Sequence, residues 1–323
     1  MAAAQSVTQT SSFERRIFLQ RFGLVFSFLL LAVTLSLLSD RFLTAANLIN
    51  ILRQSTINGI ISVGMTVVIL SGGIDLSVGS VLALSVTIGA SLMKSGQSVG
   101  LAMVIALAVG TLLGMINGLM ISRAKIPPFI ATLGMLTVAR GLTLMYTEGQ
   151  PITGLPATFR WIGTGSVGGI PVPIILTMLV FVAGWIFLNR TKYGAQIYLM
   201  GDNRDAAKLS GIPNERLTIL VYALSGFCAA LAGMVLVARL DSAQPIIGQG
   251  YEFNAIAAVV VGGTSFAGGE GGLGGTLLGT LLIETINNGL NLLNVSPLWE
   301  QVVKGVVIAL ALLLHRALSP SSR

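Results

Sequence analysis

Cysteine, histidine and charge are all scarce in this chain, and each shortage excludes something. Cys228 is the only cysteine among 323 residues, so no intrachain disulfide can form. With a single histidine as well, the usual thiolate and imidazole ligands of a metal site are missing. Charged residues make up 10% of the chain against about 25% in soluble domains, while 54% of residues are hydrophobic. Mean hydropathy is +0.86. The chain therefore reads as an integral membrane protein. Aromatic residues amount to only 7%, and strict alternation of apolar and polar residues is absent, which argues against a β-barrel. No G-x-x-x-x-G-K-[ST] loop occurs, so no ATP site of that kind is present, and no catalytic constellation can be assembled.

What is abundant is apolar sequence. A helix needs about 20 apolar residues to cross roughly 30 Å of hydrocarbon. Runs of about that length fall at 22–38, 48–70, 78–93, 99–121, 127–147, 172–188, 217–238, 253–267, 273–293 and 298–315. Eight to ten crossings are expected, the eighth being interrupted by Gly262 and Gly263. The expected organisation is a cytoplasmic tail (1–21), a transmembrane domain (22–315) and a short cytoplasmic tail (316–323). Arg15, Arg16 and Arg21 precede the first run, which lacks a small-residue cleavage pattern and reads as a retained signal anchor.

The net charge of +7 would point to nucleic acid in a soluble protein. Here most of the cations fall between runs, so orientation in the bilayer explains them instead. With ten crossings and an inner N-terminus, Arg123, Lys125, Arg190, Lys192, Arg204, Lys208 and Arg216 join the three N-terminal arginines, Arg316 and Arg323 inside. The outer side receives Arg41, Lys94, Arg160 and Arg239, with Arg53 near its edge. Both termini are expected in the cytoplasm.

The segment 190–216, RTKYGAQIYLMGDNRDAAKLSGIPNER, concentrates five of the nineteen basic residues between two membrane-length runs. Within it Asn203 is placed to cap a short helix through Ala206, Ala207 and Leu209, with Gly211 and Pro213 as its stop. A short polar helix displayed between two spans suits insertion into a partner's groove, which makes 189–216 the expected coupling loop. Two glycine-rich breaks, SGGIDLSVGS (71–80) and GGTSFAGGEGGLGG (262–275), each follow a β-branched apolar run and precede a new helix. Interrupted segments in both halves point to a transport path.

Gly269, Gly271 and Gly274 formally match G-x-G-x-x-G, but neither a βαβ unit nor an acidic residue about 20 positions later accompanies them. No cofactor site is read there. Asp75 is either a path-lining acid or a turn residue that caps the next helix, a role Ser77 could share. Glu284, Asn287, Asn291 and Asn294 recur on one helical face with Asn288 beside them. Such a stripe could pass a hydroxylated solute, since amides both donate and accept, or it could bind helix to helix. Arg140 and Lys304 lie within spans, where either could pair with Glu284 or Asp75; His315 beside Arg316 reads as an interfacial anchor.

The segments 63–80 (VGMTVVILSGGIDLSVGS), 128–141 (PFIATLGMLTVARG), 206–212 (AAKLSGI), 242–269 (SAQPIIGQGYEFNAIAAVVVGGTSFAGG) and 287–293 (NNGLNLL) resemble the branched monosaccharide-permease family of bacterial ABC importers, its ribose permeases most closely. The resemblance runs from about Phe42 to Ala311. It implies an all-α permease of about ten transmembrane helices in the inner membrane, working as a homodimer among lipid. It further implies a cytoplasmic ATP-binding subunit, a periplasmic sugar-binding protein that selects the sugar, and no ATPase site in the permease itself. The family's coupling motif, E-A-A-x-x-x-G, is similar to Asp205, Ala206, Ala207, Lys208, Leu209, Ser210 and Gly211, with Asp in place of Glu and without the I-x-L-P that often follows. Arg204, Asp205 and Lys208 would supply polar contacts around the docked helix.

Two other classes compete. A proton- or sodium-driven transporter would have to build its ion site from Asp75, Glu284, Arg140 and Lys304. A receptor or scaffold would need an extramembrane domain for which the apolar runs leave no room. Reporter fusions at Gly154 and Arg204 test the topology: a periplasmic reading at Gly154 and a cytoplasmic one at Arg204 are expected, and a periplasmic reading at Arg204 overturns it.

Overall fold

A computed structural model describes residues 23–296 together with positions 299, 302, 305 and 306. The expected tenth span (298–315), both tails, Lys304 and His315 lie outside the fully described stretch. The described chain is an all-α bundle. Its helices are α1 (Gly23–Leu38), α2 (Ala45–Leu70), α3 (Val78–Lys94), α4 (Val99–Ser122), α5 (Pro128–Thr147), α6 (Ala157–Thr164), α7 (Val172–Arg190), α8 (Lys192–Asp202), α9 (Arg204–Leu209), α10 (Asn214–Leu240), α11 (Tyr251–Val261) and α12 (Leu273–Leu292). Among the described residues, α4, α5, α7 and α10 are long and apolar enough to cross a membrane. Helix α2 has the length but carries Arg53, Gln54, Asn58 and several hydroxyls, and α12 carries Glu284 and three asparagines. Helices α1, α3 and α11 are apolar and short.

The helix starts follow local chemistry. Thr44, Ser98 and Thr191 accept hydrogen bonds from the backbone N–H groups of Asn47, Leu101 and Gly194, capping α2, α4 and α8. Prolines open α5 and α7, where a missing N–H costs nothing.

The connections sort into two ends. At one end α6 and two short antiparallel pairs gather: β1 (Ile152–Thr153) with β4 (Ser242–Ala243), and β2 (Ser166–Val167) with β3 (Ile170–Pro171). Asp241 accepts from the Leu155 N–H there and meets Arg160 at 3.5 Å. At the opposite end Lys125 meets Glu215 at 3.4 Å, and Gly269 N–H donates to Leu70 O across 3.0 Å. The connections assigned to the inner side by counting cations thus share one end. Arg190 stacks over Trp185 at that end, its Cζ 5.5 Å from the ring centroid.

One expected span is shorter in the structure, for a physical reason. The run at 253–267 is helical only as α11, because two glycines end it and 262–272 continues as irregular chain. The polar connection 148–171 holds α6, whose Phe159 and Gly163 pack inward while Arg160 and Trp161 are exposed.

The tightest seam joins α4 to α10. Gly110, Gly114 and Gly118 recur every fourth residue and present one glycine face. A Cβ at Gly114 would strike the Tyr222 carbonyl, and one at Gly226 would strike Gly110 O. Small residues allow this backbone approach, from which helices in lipid gain packing that hydrophobicity cannot supply. Gly114→Leu is expected to cost at least about 1–3 kcal/mol by overpacking. A detergent-solubilised Gly114→Leu protein with unchanged thermal midpoint and monodispersity would refute the seam.

Candidate functional site

The segment 190–216 folds as two consecutive helices at the cation-rich end. Thr191 closes α7 and caps α8; Asn203 then closes α8 and caps α9. Asn203 Oδ1 accepts from the N–H groups of Asp205 (3.1 Å) and Ala206 (2.9 Å). The αL turn at Gly211 (φ +79°) follows, so the chain reverses into α10. Arg204 Nη2 donates to Thr218 Oγ1 (2.8 Å), and Asn214 Nδ2 donates to Arg204 O (2.8 Å), tying α9 to the first turns of α10.

The two alanines of α9 differ. Ala207 is buried against Met200 and Leu217 of its own chain, whereas Ala206 is exposed. Leu209, a large apolar side chain, is 90% exposed at the helix end. Asp205, Lys208 and Ser210 are exposed as well. The face free for a partner is therefore Ala206 and Leu209 framed by charge. Beside it a cavity of about 600 Å3 opens among Lys125, Pro127, Arg204, Lys208 and Arg216.

Helix α8 connects this surface to the interior. Gly201 packs against Leu70 O and Gly269 N, where even a Cβ would not fit. Tyr198 donates its hydroxyl to Gly271 O (3.0 Å); half-burial raises its pKa above the ordinary phenol value, so it stays a donor. One helix thus touches the chain at both glycine-rich breaks.

The polar residues singled out inside the bundle fall into two separate groups. Asp75 is 1% exposed. Its Oδ1 accepts from Ser77 N (2.9 Å) and Ser77 Oγ (2.6 Å), its Oδ2 from Ser225 Oγ (2.8 Å), and Asn117 Nδ2 reaches Ser77 Oγ (2.9 Å). Tyr222 donates to Ile74 O (3.2 Å). Tyr222 and Ser225 lie about 12–16 Å along α10 from its start. The turn 71–77 has therefore climbed back into the bundle, and α3 begins inside it.

The second group joins α12 to α2. Glu284 accepts from Asn58 Nδ2 (2.6 Å) and Asn287 Nδ2 (3.3 Å). Asn47 and Asn288 exchange amide hydrogen bonds at 3.0 and 2.9 Å, and Thr66 meets Thr276 at 2.8 Å. Asn291 is exposed and donates to Asn287 O, while Asn294 lies past the helix end with φ +54°. Asp75 and Glu284 are not brought together.

Arg140 pairs with neither acid. Its Nη1 donates to Pro245 O (2.6 Å) and Ile247 O (2.9 Å), ahead of α11. Three partners were missed from sequence: Asn58, Asn117 and the buried Glu252. Asn117 is a lone polar residue in an apolar run, and Asn58 and Glu252 sit among other polar residues that give no periodic signal of their own. Only the burial of Glu252 in the carbonyl-rich approach to α11 picks it out.

Residues 47–312 match the family described as branched-chain amino acid transport system, permease component. The chain belongs to that permease family. Among its relatives in this permease family, the ribose import permease protein RbsC of Bacillus subtilis is 50% identical over 300 residues, covering 92% of this chain and 93% of the relative. The ribose import permease protein RbsC of Escherichia coli K12 is 45% identical over 313 residues, covering 96% and 97%. The D-allose transport system permease protein AlsC of the same strain is 39% identical over 314 residues, covering 97% and 96%. No solved structure matches.

Asn203→Ala removes the acceptor for two α9 N–H groups and should cost about 1 kcal/mol of local stability. Amide hydrogen exchange in α9 is expected to rise severalfold while α10 stays protected; unchanged exchange at Asp205 and Ala206 would contradict the capping role.

Proposed function

We propose that this chain is the permease subunit of an ATP-driven ABC importer that carries a monosaccharide, ribose in the first instance, across the bacterial inner membrane. It works as a homodimer in lipid with both termini in the cytoplasm. A separate ATP-binding subunit acts from the inner side, and a periplasmic sugar-binding protein delivers the sugar. The permease itself catalyses nothing and needs no cofactor.

One observation carries this reading: the capped helix α9 presents Ala206 and Leu209 outward, and the helix before it grips both glycine-rich breaks. A closing nucleotide-bound partner that seats Ala206 and Leu209, with Arg204, Asp205, Lys208, Ser210 and Gly211 at the rim, would push α9. Helix α8 would pass the push to Leu70, Gly269 and Gly271, where no continuous helix resists it. Rigid elements that rock about such breaks give alternating access. Asp75, Glu284, Asn287, Asn288 and Asn291 enter as the polar groups a hydroxylated solute meets when the seams part. The likeness to ribose and allose permeases over almost the whole chain supports the sugar class.

The test uses the reconstituted importer. Leu209→Glu leaves the buried side of α9 intact, so the protein should assemble. ATP-dependent ribose accumulation should fall on the order of tenfold or more, as when a buried interface anchor is lost, while basal ATP hydrolysis persists. Wild-type accumulation by that variant would remove the mechanism. Accumulation that collapses with a protonophore at constant ATP would favour the ion-driven alternative.

A further inference from the structure

Between β4 and α11 the chain does not stay at the end of the bundle. Residues 244–250 dip inward until Gly248 lies against Gly79, in the first turn of α3. A Cβ on Gly79 would collide with Gly248 O, and one on Gly248 would sit 2.5 Å from Gly79 O. Since α3 itself starts inside the bundle, two short helices, α3 and α11, begin near the point where this strap meets the first turn of α3. The contact is backbone on backbone, and Leu82 closes its other side, 3.1 Å from the same Gly248 position.

Two charged side chains hold the strap there. Arg140, thirteen residues into α5, donates from one nitrogen to the carbonyls of Pro245 and Ile247. Glu252 is 6% exposed and accepts from Gly250 N (3.2 Å), fixing the turn into α11. Its Oε2 lies 2.6 Å from where a Gly79 Cβ would sit, so the carboxylate also faces the opening turn of α3. Helix N-termini stabilise such an anion. A guanidinium and a carboxylate are costly inside a membrane, and two backbone carbonyls are a modest return for an arginine if all it does is fill space.

We propose that residues 244–250 form a gate across the sugar path and that Arg140 and Glu252 are the positioning residues that hold it shut against Gly79. The inference rests on the importer reading above. When the short helices α3 and α11 part, Arg140 leaves Pro245 and Ile247, and Glu252 is the nearby anion to receive it, so the cation is never left unpaired. The closed and open states then differ by which oxygen the guanidinium holds.

Proteoliposomes of the full transporter, with ATP-binding subunit and sugar-binding protein, test this by two readouts: ATP-driven ribose accumulation, and passive ribose efflux without ATP. Arg140→Ala loses both of its charge-assisted hydrogen bonds and should raise passive efflux at least about tenfold, the shift expected from even one of them. Gly79→Ala leaves both charges in place but wedges the strap, and should leak as well. Arg140→Lys retains a cation and the fold, and should leak to an intermediate extent. If wild-type vesicles accumulate ribose and none of the three variants leaks more than wild type, the gate is refuted. If wild-type vesicles accumulate nothing on ATP, the importer reading fails first. Leakage of an unrelated ion equal to that of ribose would mark a general defect and equally overturn the gate.

Discussion

A single backbone hydrogen bond, Gly269 N–H to Leu70 O, shows the constraint under which the rest of this bundle operates. In a membrane a helix may stop only where something else satisfies the exposed peptide groups. Helix α2 stops at Leu70 and α12 starts after Gly272, and each break supplies part of what the other lacks. The other end of the first break is closed by Asp75, which takes the Ser77 N–H that would otherwise open α3 unsatisfied. Such a carboxylate is tolerable because three donors reach it; removing any one would cost roughly 1–3 kcal/mol in a buried setting.

The helix seams divide by chemistry. Between α4 and α10 there are glycines and close backbone contact, with nothing directional to reset once parted. Between α2 and α12 there are pairs of amides and hydroxyls, Asn47 with Asn288, Asn58 with Glu284 and Thr66 with Thr276. Interhelical polar contacts of this kind contribute about 0.6–2 kcal/mol each. Polar pairs can be exchanged for contacts with a hydroxylated solute at little net cost, whereas a glycine seam has no such substitute. The rigid part of the bundle and its adjustable part are thus distinguishable by residue type.

Much of this was readable from sequence, for identifiable reasons. Membrane-length apolar runs announce helices because nothing but a helix satisfies twenty peptide groups in lipid; α2 to α5, α7, α10 and α12 lie within three residues of their expected limits. The cap at Asn203 is local chemistry over three residues, so it too was legible. What was not legible depends on partners far apart in the chain. Whether Asp75 capped a turn at the surface or inside the bundle hinged on Ser225, 150 residues away. The polar stripe of α12 could be seen, but not that Asn58 faces it across 226 residues. Arg140 was expected to seek an acid, and it found carbonyls, because a dipping strap offered acceptors that no periodicity encodes. Small α9 looked symmetric in its two alanines until packing against Met200 and Leu217 buried one of them.

These facts bear on where a push could go. Helices α4 and α10 are packed backbone to backbone, and separating them would open voids along three glycines. Helix α8 is held to both breaks by Gly201 and Tyr198, and α9 is bonded to α10 through Arg204 and Asn214. A displacement at Leu209 therefore reaches the glycine seam and the breaks together, and it cannot be absorbed between them. Relief must come where the chain has neither a continuous helix ladder nor an interlocked side-chain seam. Among the described residues, the turn 71–77, the strap 244–250 and the irregular stretch 262–272 are the interruptions that lie against the inner helices. All three border α3 and α11, two short apolar helices of the bundle, so these are the ones its architecture leaves free to reorient.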